Sequence, residues 1–186
     1  MRTLPDLLTP GLDVVFVGIN PGEESARRRH YYAHPGNAFW PLLSASGLTS
    51  RPVGPLDDRR LPANEAIGFT DVVKRVVTDS TTVTDLELRD AIPAFRRRIA
   101  LARPRAICLT SSRAFDALFP RVRGGKRWGH LASLDAELEG VEAWVIPSTS
   151  GRAAAYRGEA ARVLGELAAH LERTGAVDGR EHRGAA

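Results

Sequence analysis

An apolar, β-branched run at residues 14–17 leads directly into Gly18-Ile19-Asn20-Pro21-Gly22, and this combination constrains the fold more than any other feature. A short apolar run that ends in turn-forming residues predicts a buried strand, here over 13–18. A second buried strand is predicted over 105–110, and helical segments follow the two strands at 37–47 and from Ser111. Buried strands that alternate with helices favour an α/β fold. We predict a three-layer α/β/α sandwich with a mainly parallel central sheet.

The turn after the first predicted strand carries one polar side chain, that of Asn20. In open α/β sheets, ligands bind beyond the carboxyl ends of the strands, so a functional group is expected at this point. A purely structural interpretation stays open, because Asn, Pro and Gly are common turn formers and most such turns only reverse the chain. The turn lacks the glycine-rich fingerprint of dinucleotide-binding folds, which disfavours that class.

The remaining patterns predict one domain over 1–174, followed by a small, polar and disordered tail over 175–186. Thr84 is predicted to cap a long amphipathic helix, in which Pro93 indicates a kink or two abutting helices. A short strand or turn is predicted at 67–73 and a basic loop at 121–130. A hairpin is predicted from 134–138 paired with 141–146, and a final helix follows 147–151.

Composition narrows the class of protein further. The 186 residues include one cysteine, Cys108, in an apolar setting typical of a core residue, which excludes disulfides within one chain. No apolar stretch is long enough to span a bilayer, and no secretory signal is recognisable, so we expect a cytoplasmic protein. The formal net charge of +4 is carried almost entirely by arginine, which favours an anionic partner such as nucleic acid, although arginine-rich codon usage would give the same composition.

Four segments together resemble the mismatch-specific uracil/thymine-DNA glycosylases, a branch of the uracil-DNA glycosylase superfamily. They are Gly18-Ile19-Asn20-Pro21-Gly22, the run Tyr31-Tyr32-Ala33-His34-Pro35-Gly36-Asn37 with Phe39-Trp40, the segment 68–75, and Pro147-Ser148-Thr149-Ser150-Gly151-Arg152. The resemblance covers about residues 8–170. It implies an enzyme that flips a base out of DNA, hydrolyses its N-glycosidic bond and leaves an abasic site.

The resemblance assigns the catalytic positions to Asn20 and Asp71. Asn20 would orient a water near C1′ of the sugar, but an amide is a poor general base, so slow chemistry is expected. Asp71 stands where relatives often carry Asn or Lys. It can accept the N3–H of the base, assist the water, or serve only as a turn or cap residue, and its negative charge would oppose a departing base anion.

By the same resemblance, Ile19, Ser25, Tyr32 and Asn37 contact the base. Tyr32 would stack on it, and Ser25 would lie near its C5 edge, where it narrows the room for the methyl group of thymine. Tyr32 can instead be a half-buried loop residue, and Asn37 can instead cap the helix that follows it.

The last segment would contact DNA through Ser148, Thr149, Ser150 and Gly151, whose hydroxyl and backbone N–H groups suit phosphate oxygens, although helix capping is compatible with the same residues. Arg152 occupies the position of the wedge that fills the gap left by the flipped nucleotide. The basic residues Arg123, Lys126 and Arg127 can add phosphate contacts or form only a solvated loop.

No metal or cofactor is expected, since His30 and His34 lie in a Pro/Gly loop without an acidic partner at ligand spacing. The expected partner is double-stranded DNA with G:U or related mismatches, bound by a monomer in the cytoplasm at the nucleoid. Two alternatives remain at this point: a damaged-DNA binding module of the same fold without turnover, and an unrelated α/β domain that binds a small phosphorylated ligand at the Asn-Pro-Gly turn.

Overall fold

A computed structural model describes residues 2–120, 128–131 and 140–181. The described residues form a five-stranded sheet with the order β2-β1-β3-β5-β4, in which all neighbours are parallel except β4 and β5. The strands are β1 (Val14–Gly18), β2 (Ile67–Asp71), β3 (Ala106–Leu109), β4 (Gly129–His130) and β5 (Glu142–Val145). The helices are α1 (Glu23–Arg28), α2 (Phe39–Ala45), α3 (Leu61–Asn64), α4 (Asp85–Ala102), α5 (Ser112–Leu118) and α6 (Arg157–Glu181), with 3₁₀ turns at Pro55–Asp57, Ser80–Thr82 and Gly151–Tyr156.

The two faces of the sheet are covered by different helices because successive side chains of a strand point to opposite sides. Val14 and Phe16 of β1 join a cluster with apolar residues of α2 and α6, whereas Val15 and Val17 join one with residues of α4 and α5. Every residue of β1 is buried, as expected for a central strand of a parallel sheet. The predicted α/β fold, with a mainly parallel sheet between helical layers, is therefore confirmed.

The strand register brings the carboxyl ends of the strands together at one edge. Gly18 at the end of β1 pairs with Asp71 at the end of β2, and the backbone N–H of Thr110, just after β3, donates to Val17 O at 3.0 Å. The chain leaves each strand at this edge, so the turn at 19–22 and the residues after β2, β3 and β5 line one end of the sheet. This is the edge at which the sequence predicted a functional group.

Helix α4 begins where the sequence predicted. The Thr84 hydroxyl accepts from the N–H of Glu87 at 3.1 Å, and the Glu87 carboxylate accepts from the N–H of Thr84 at 2.8 Å, which completes a capping box. The helix runs without interruption across the exposed Pro93, so the alternative of two abutting helices is wrong.

Two other predictions need revision in detail. The partner of β5 in the described structure is β4 with the adjoining Leu131, whose N–H donates to Ala143 O at 2.8 Å; β4 lies inside the segment predicted as a basic loop. The predicted hairpin strand 134–138 lies outside the described residues, as do Arg123, Lys126 and Arg127. The predicted domain boundary at Thr174 falls within α6, because that helix continues to Glu181.

Within the described ranges, no helix has the length and apolar character that crossing a membrane requires.

Candidate active site

A cavity of about 620 Å³ opens at the carboxyl edge of the sheet. Its walls come from the turn after β1, the loop between α1 and α2, the end of β2 with the segment 77–81, the residues after β3, and the segment 148–152. The residues assigned to catalysis, to base contact and to the DNA contact of segment 148–152 all line this cavity: Ile19, Asn20, Ser25, Tyr32, Asn37, Asp71, Ser148, Thr149, Ser150, Gly151 and Arg152. Segments that are far apart in the chain thus meet in one place.

The side chain of Asn20 is held in a single orientation. Its Nδ2 donates to the carbonyl oxygens of Pro21 at 3.0 Å and Val77 at 2.9 Å, so the nitrogen end of the amide must face these two acceptors. Its Oδ1 is buried and has no hydrogen-bond partner among the described residues. A buried acceptor of this kind is normally satisfied by a protein group or a water, so this oxygen can receive a water or substrate donor in the cavity.

Asp71 presents a buried carboxyl group to the same cavity. The residue is 4 % exposed, and its Oδ2 has no hydrogen-bond partner within the described part of the chain. Burial raises the pKa of Asp71 to about 7; the nearby cations of Lys74 and Arg98 oppose this shift, and the carboxylate of Asp6 adds to it. The group is therefore near its midpoint of ionisation at neutral pH, the condition under which a carboxyl can both accept and donate a proton.

Gly18 makes room for this carboxyl group. A Cβ atom at position 18 would lie closer than 3.0 Å to Asp71 Oδ1, so no other residue fits there without displacing the carboxyl. Gly18 is therefore needed for close packing against Asp71, in addition to its place before the turn.

Tyr32 forms an aromatic wall of the cavity. Its ring stacks on that of Phe39 at 4.0 Å between centroids with an interplanar angle of 19°, and its hydroxyl lies 3.3 Å from Thr110 Oγ1. Its backbone adopts a left-handed conformation with φ of 50°, which is uncommon for a bulky residue and indicates that the loop constrains it. Burial raises the pKa of its hydroxyl, so the group remains neutral.

Ser25 and Asn37 both have one polar atom committed to the protein. Ser25 Oγ accepts from the N–H of Ala33 at 3.1 Å, which fastens the loop before α2 to α1. Asn37 Oδ1 accepts from the N–H of Phe39, the first residue of α2, at 3.0 Å. The N-cap position is Ala38 and carries no side-chain cap bond, so Asn37 closes the turn before the helix and is not its N-cap residue. The Nδ2 atom of Asn37 makes no hydrogen bond to the described residues, so the same side chain can close the turn before α2 and donate into the cavity.

The segment 148–152 forms the rim of the cavity. Ser148 Oγ accepts from the N–H of Ser150 at 3.3 Å, and Thr149 O accepts from the N–H of Ala38 at 2.9 Å, which ties the rim to α2. The side chain of Arg152 is 78 % exposed and reaches across the opening to Asp79 Oδ2 at 3.3 Å.

The wall opposite this rim was not recognised from the sequence. Val77 O orients Asn20, and Asp79 pairs with Arg152, yet the residues 76–83 contain no recognisable motif. Arg113 of α5 holds this wall in place by donating to Ser80 O at 2.7 Å and to Val83 O. No signal in the sequence could have paired Arg113 with this segment, because the two lie about thirty residues apart.

The histidines considered as metal ligands do not converge. His30 Nδ1 lies 2.9 Å from Asp58 Oδ1, whereas His34 Nδ1 accepts from the N–H of Gly36 at 3.0 Å. Among the described residues, no group of three or more His, Cys, Asp or Glu side chains is arranged to hold a metal ion.

A cavity at the carboxyl edge of a mainly parallel sheet, lined by one fixed amide and one buried carboxyl, defines an α/β protein with a candidate active site. Comparison with known families identifies the class: residues 5–172 match the Uracil DNA glycosylase superfamily. The chain belongs to this superfamily and is a DNA glycosylase, a hydrolase that acts on DNA. The alternative of an unrelated α/β domain for a small phosphorylated ligand is therefore wrong.

A solved structure resembles this fold. It is the solution NMR structure of a candidate uracil DNA glycosylase from Methanosarcina acetivorans, with 24 % sequence identity and a TM-score of 0.59. The match covers 89 % of this chain and 97 % of that one. At this identity the likeness supports the fold alone.

Proposed function

We propose that this protein is a monofunctional, mismatch-specific glycosylase that flips uracil out of DNA when it lies opposite guanine, hydrolyses its N-glycosidic bond and leaves an abasic site. Thymine and other damaged bases opposite guanine are further candidate substrates. The enzyme works as a monomer without a cofactor. The observation that supports this proposal most directly is the unpaired Oδ1 of Asn20, because it offers a fixed acceptor for a water inside the cavity.

The proposed reaction begins with the flipped base stacked on Tyr32 and contacted by Ile19, Ser25 and Asn37. Base-on-aromatic stacking contributes about 1–3 kcal/mol, which offsets part of the cost of unstacking the nucleotide. The unengaged Nδ2 of Asn37 is a donor suited to a carbonyl oxygen of the base, on which negative charge develops as the base departs.

Asn20 orients the water and Asp71 takes its proton. An amide accepts no proton at neutral pH, so Asn20 alone can only position the nucleophile. A carboxyl group whose pKa has been raised to about 7 by burial is matched to a general base at that pH. In this assignment the rate of base release rises with pH through about 7 and then levels off, because the ionised form of Asp71 is the active one.

Arg152 is proposed as the wedge, and Ser148, Thr149, Ser150 and Gly151 as phosphate contacts. The exposed guanidinium of Arg152 at the cavity rim fits a side chain that enters the duplex where the base has left. Its ion pair with Asp79 is solvent-exposed and therefore weak, so it can be exchanged for contacts with DNA.

The test is base release from a duplex with one uracil opposite guanine, followed by alkaline cleavage and gel electrophoresis. We expect cleavage with the wild type and at least a 100-fold loss with Asn20→Ala, while a gel-shift assay gives similar DNA binding for both. The matched control is Asn64→Ala, which changes an exposed amide at the end of α3 and should behave as the wild type. A wild type that retards the duplex without releasing the base would favour the alternative, a damaged-DNA binding module of the same fold. Unchanged turnover in Asn20→Ala would refute the assignment of Asn20.

A further inference from the structure

The N-terminal segment runs beside the free edge of β2 and brings an acidic residue to the outer side of the site. Leu7 and Phe69 form an antiparallel bridge, with N–H···O distances of 2.9 and 3.1 Å. This register sets Asp6 next to Thr70, whose hydroxyl donates to Asp6 Oδ1 at 2.5 Å. Thr70 directly precedes Asp71, so Asp6 is held one residue away from the buried carboxyl of the cavity.

Two cations meet at the carboxylate of Asp6. Lys74 Nζ donates to Asp6 Oδ1 at 2.9 Å, and Arg98 Nε lies 3.4 Å from Asp6 Oδ2. Arg98 also donates through Nη2 to the backbone oxygen of Asp71 at 2.8 Å. The three charged side chains are only 22–28 % exposed, so their fields are less screened by solvent than those of surface ion pairs. We call these three residues the Asp6 network.

We propose that the Asp6 network regulates the active site: Asp6, Lys74 and Arg98 are positioning residues that set the balance between the protonated and ionised forms of Asp71. The network does not line the cavity, and its members come from three elements, namely the N-terminal segment, the residues after β2, and α4. The proposal rests on the proposed role of Asp71, but the test below does not require turnover.

The signs of the individual effects follow from the charges. Lys74 and Arg98 stabilise the carboxylate form of Asp71, Asp6 destabilises it, and burial favours the protonated form. The groups that face Asp71 from the loop before α2 are the hydroxyls of Tyr31 and Tyr32, which burial keeps neutral. The charge balance at Asp71 is therefore set by the three residues of the network.

The experiment is a carbon-13 NMR titration of the Asp71 carboxyl carbon, assigned by its absence in Asp71→Asn. In Lys74→Met, which removes a cation, the pKa of Asp71 should rise by roughly 0.5 to 1; in Asp6→Asn, which removes an anion, it should fall by a similar amount. Opposite shifts distinguish tuning from structural damage, because a loosened fold would admit water and lower the pKa of Asp71 in both variants.

Arg75→Met serves as the matched control, since Arg75 is the adjacent cation but pairs with the exposed Glu87 at 2.6 Å. This control should leave the titration of Asp71 unchanged. Where turnover is measurable, the midpoint of the kcat profile against pH should move with the NMR value in each variant. Shifts of the same sign in both network variants, or no shift, would overturn the proposal. A protein that releases no base from any duplex would refute the proposed function, while the titration would still decide the role of the network.

Discussion

Replacing Asp71 by Asn should make the protein increasingly stable relative to the wild type as pH rises from 5 to 8, although it removes a proposed catalytic group. The pKa of Asp71 is raised by burial from 3.8 to about 7 in the folded state. Between these two values the folded protein binds more protons than the unfolded chain, so the free energy of unfolding falls as pH rises through this window and levels off above it. The Asn side chain does not titrate, so the free energy of unfolding of Asp71→Asn does not fall in this way.

The size of the effect follows from the two pKa values. Integrating the proton linkage between pH 5 and pH 8 gives a loss of about 2–3 kcal/mol for the wild type relative to Asp71→Asn. For a chain of 186 residues, each kcal/mol changes Tm by about 2–4 °C, so the Tm difference between the two proteins should grow by about 4–12 °C over this range.

The measurement compares thermal and urea unfolding of both proteins at pH 5, 6, 7 and 8. The contributions of all other titrating groups cancel in the stability difference between the two proteins, so we interpret only the change of this difference with pH. Asp57→Asn is the matched control, because a hydrogen bond from Arg51 lowers the pKa of Asp57 and its carboxyl is ionised throughout this range. If the difference between Asp71→Asn and the wild type is the same at all four pH values, Asp71 is not a buried carboxyl of raised pKa.

Three further substitutions test other parts of the site. Gly18→Ala places a Cβ against Asp71 Oδ1 and should lower the free energy of unfolding by about 1–3 kcal/mol in urea melts, whereas Gly158→Ala, in open space on α6, should be neutral or stabilising; equal effects would contradict the packing argument. Arg152→Ala should slow base release from duplex DNA more than from single strands, and equal losses on both in a gel assay would exclude a wedge. Ser25→Ala should raise the excision of thymine relative to uracil opposite guanine by up to about 10-fold, and an unchanged ratio would show that the hydroxyl does not limit room at the base.

Local patterns in the sequence were sufficient to predict two central strands of the sheet and the start of α4. The strands predicted over 13–18 and 105–110 were found as β1 and β3, since uninterrupted apolar runs of this length are buried on both faces. The start of α4 was equally clear, because the side chain and backbone of Thr84 and Glu87 satisfy each other within one turn.

The remaining features depend on contacts between distant segments. The edge strand β4 has two residues and lies in a basic segment, so its pairing with β5 is set by the neighbouring strand and leaves no pattern in its own sequence. The role of Val77 was equally hidden, because a backbone carbonyl orients Asn20 and any residue type supplies one. The sequence predicted Asn37 as a helix cap or as a base contact, but only the structure indicates that its Oδ1 closes the turn before α2 and leaves its Nδ2 free to reach the base.

Two buried oxygen atoms of the site have no hydrogen-bond partner among the described residues, and this arrangement is an argument that the site binds a substrate. Asn20 Oδ1 and Asp71 Oδ2 are these buried acceptors, and an acceptor that found neither a protein nor a water partner would cost about 1–3 kcal/mol. Both lie at the carboxyl ends of neighbouring strands, and the hydroxyls of Thr110 and Ser111, which line the same cavity, bond to the backbone of Val17 and Arg113 instead. A fold that needed only a chain reversal after β1 would lose nothing by pairing these atoms, whereas a glycosylase needs one acceptor for a water and one for a proton. The two unpaired oxygens are therefore better explained by substrate chemistry than by the requirements of the fold.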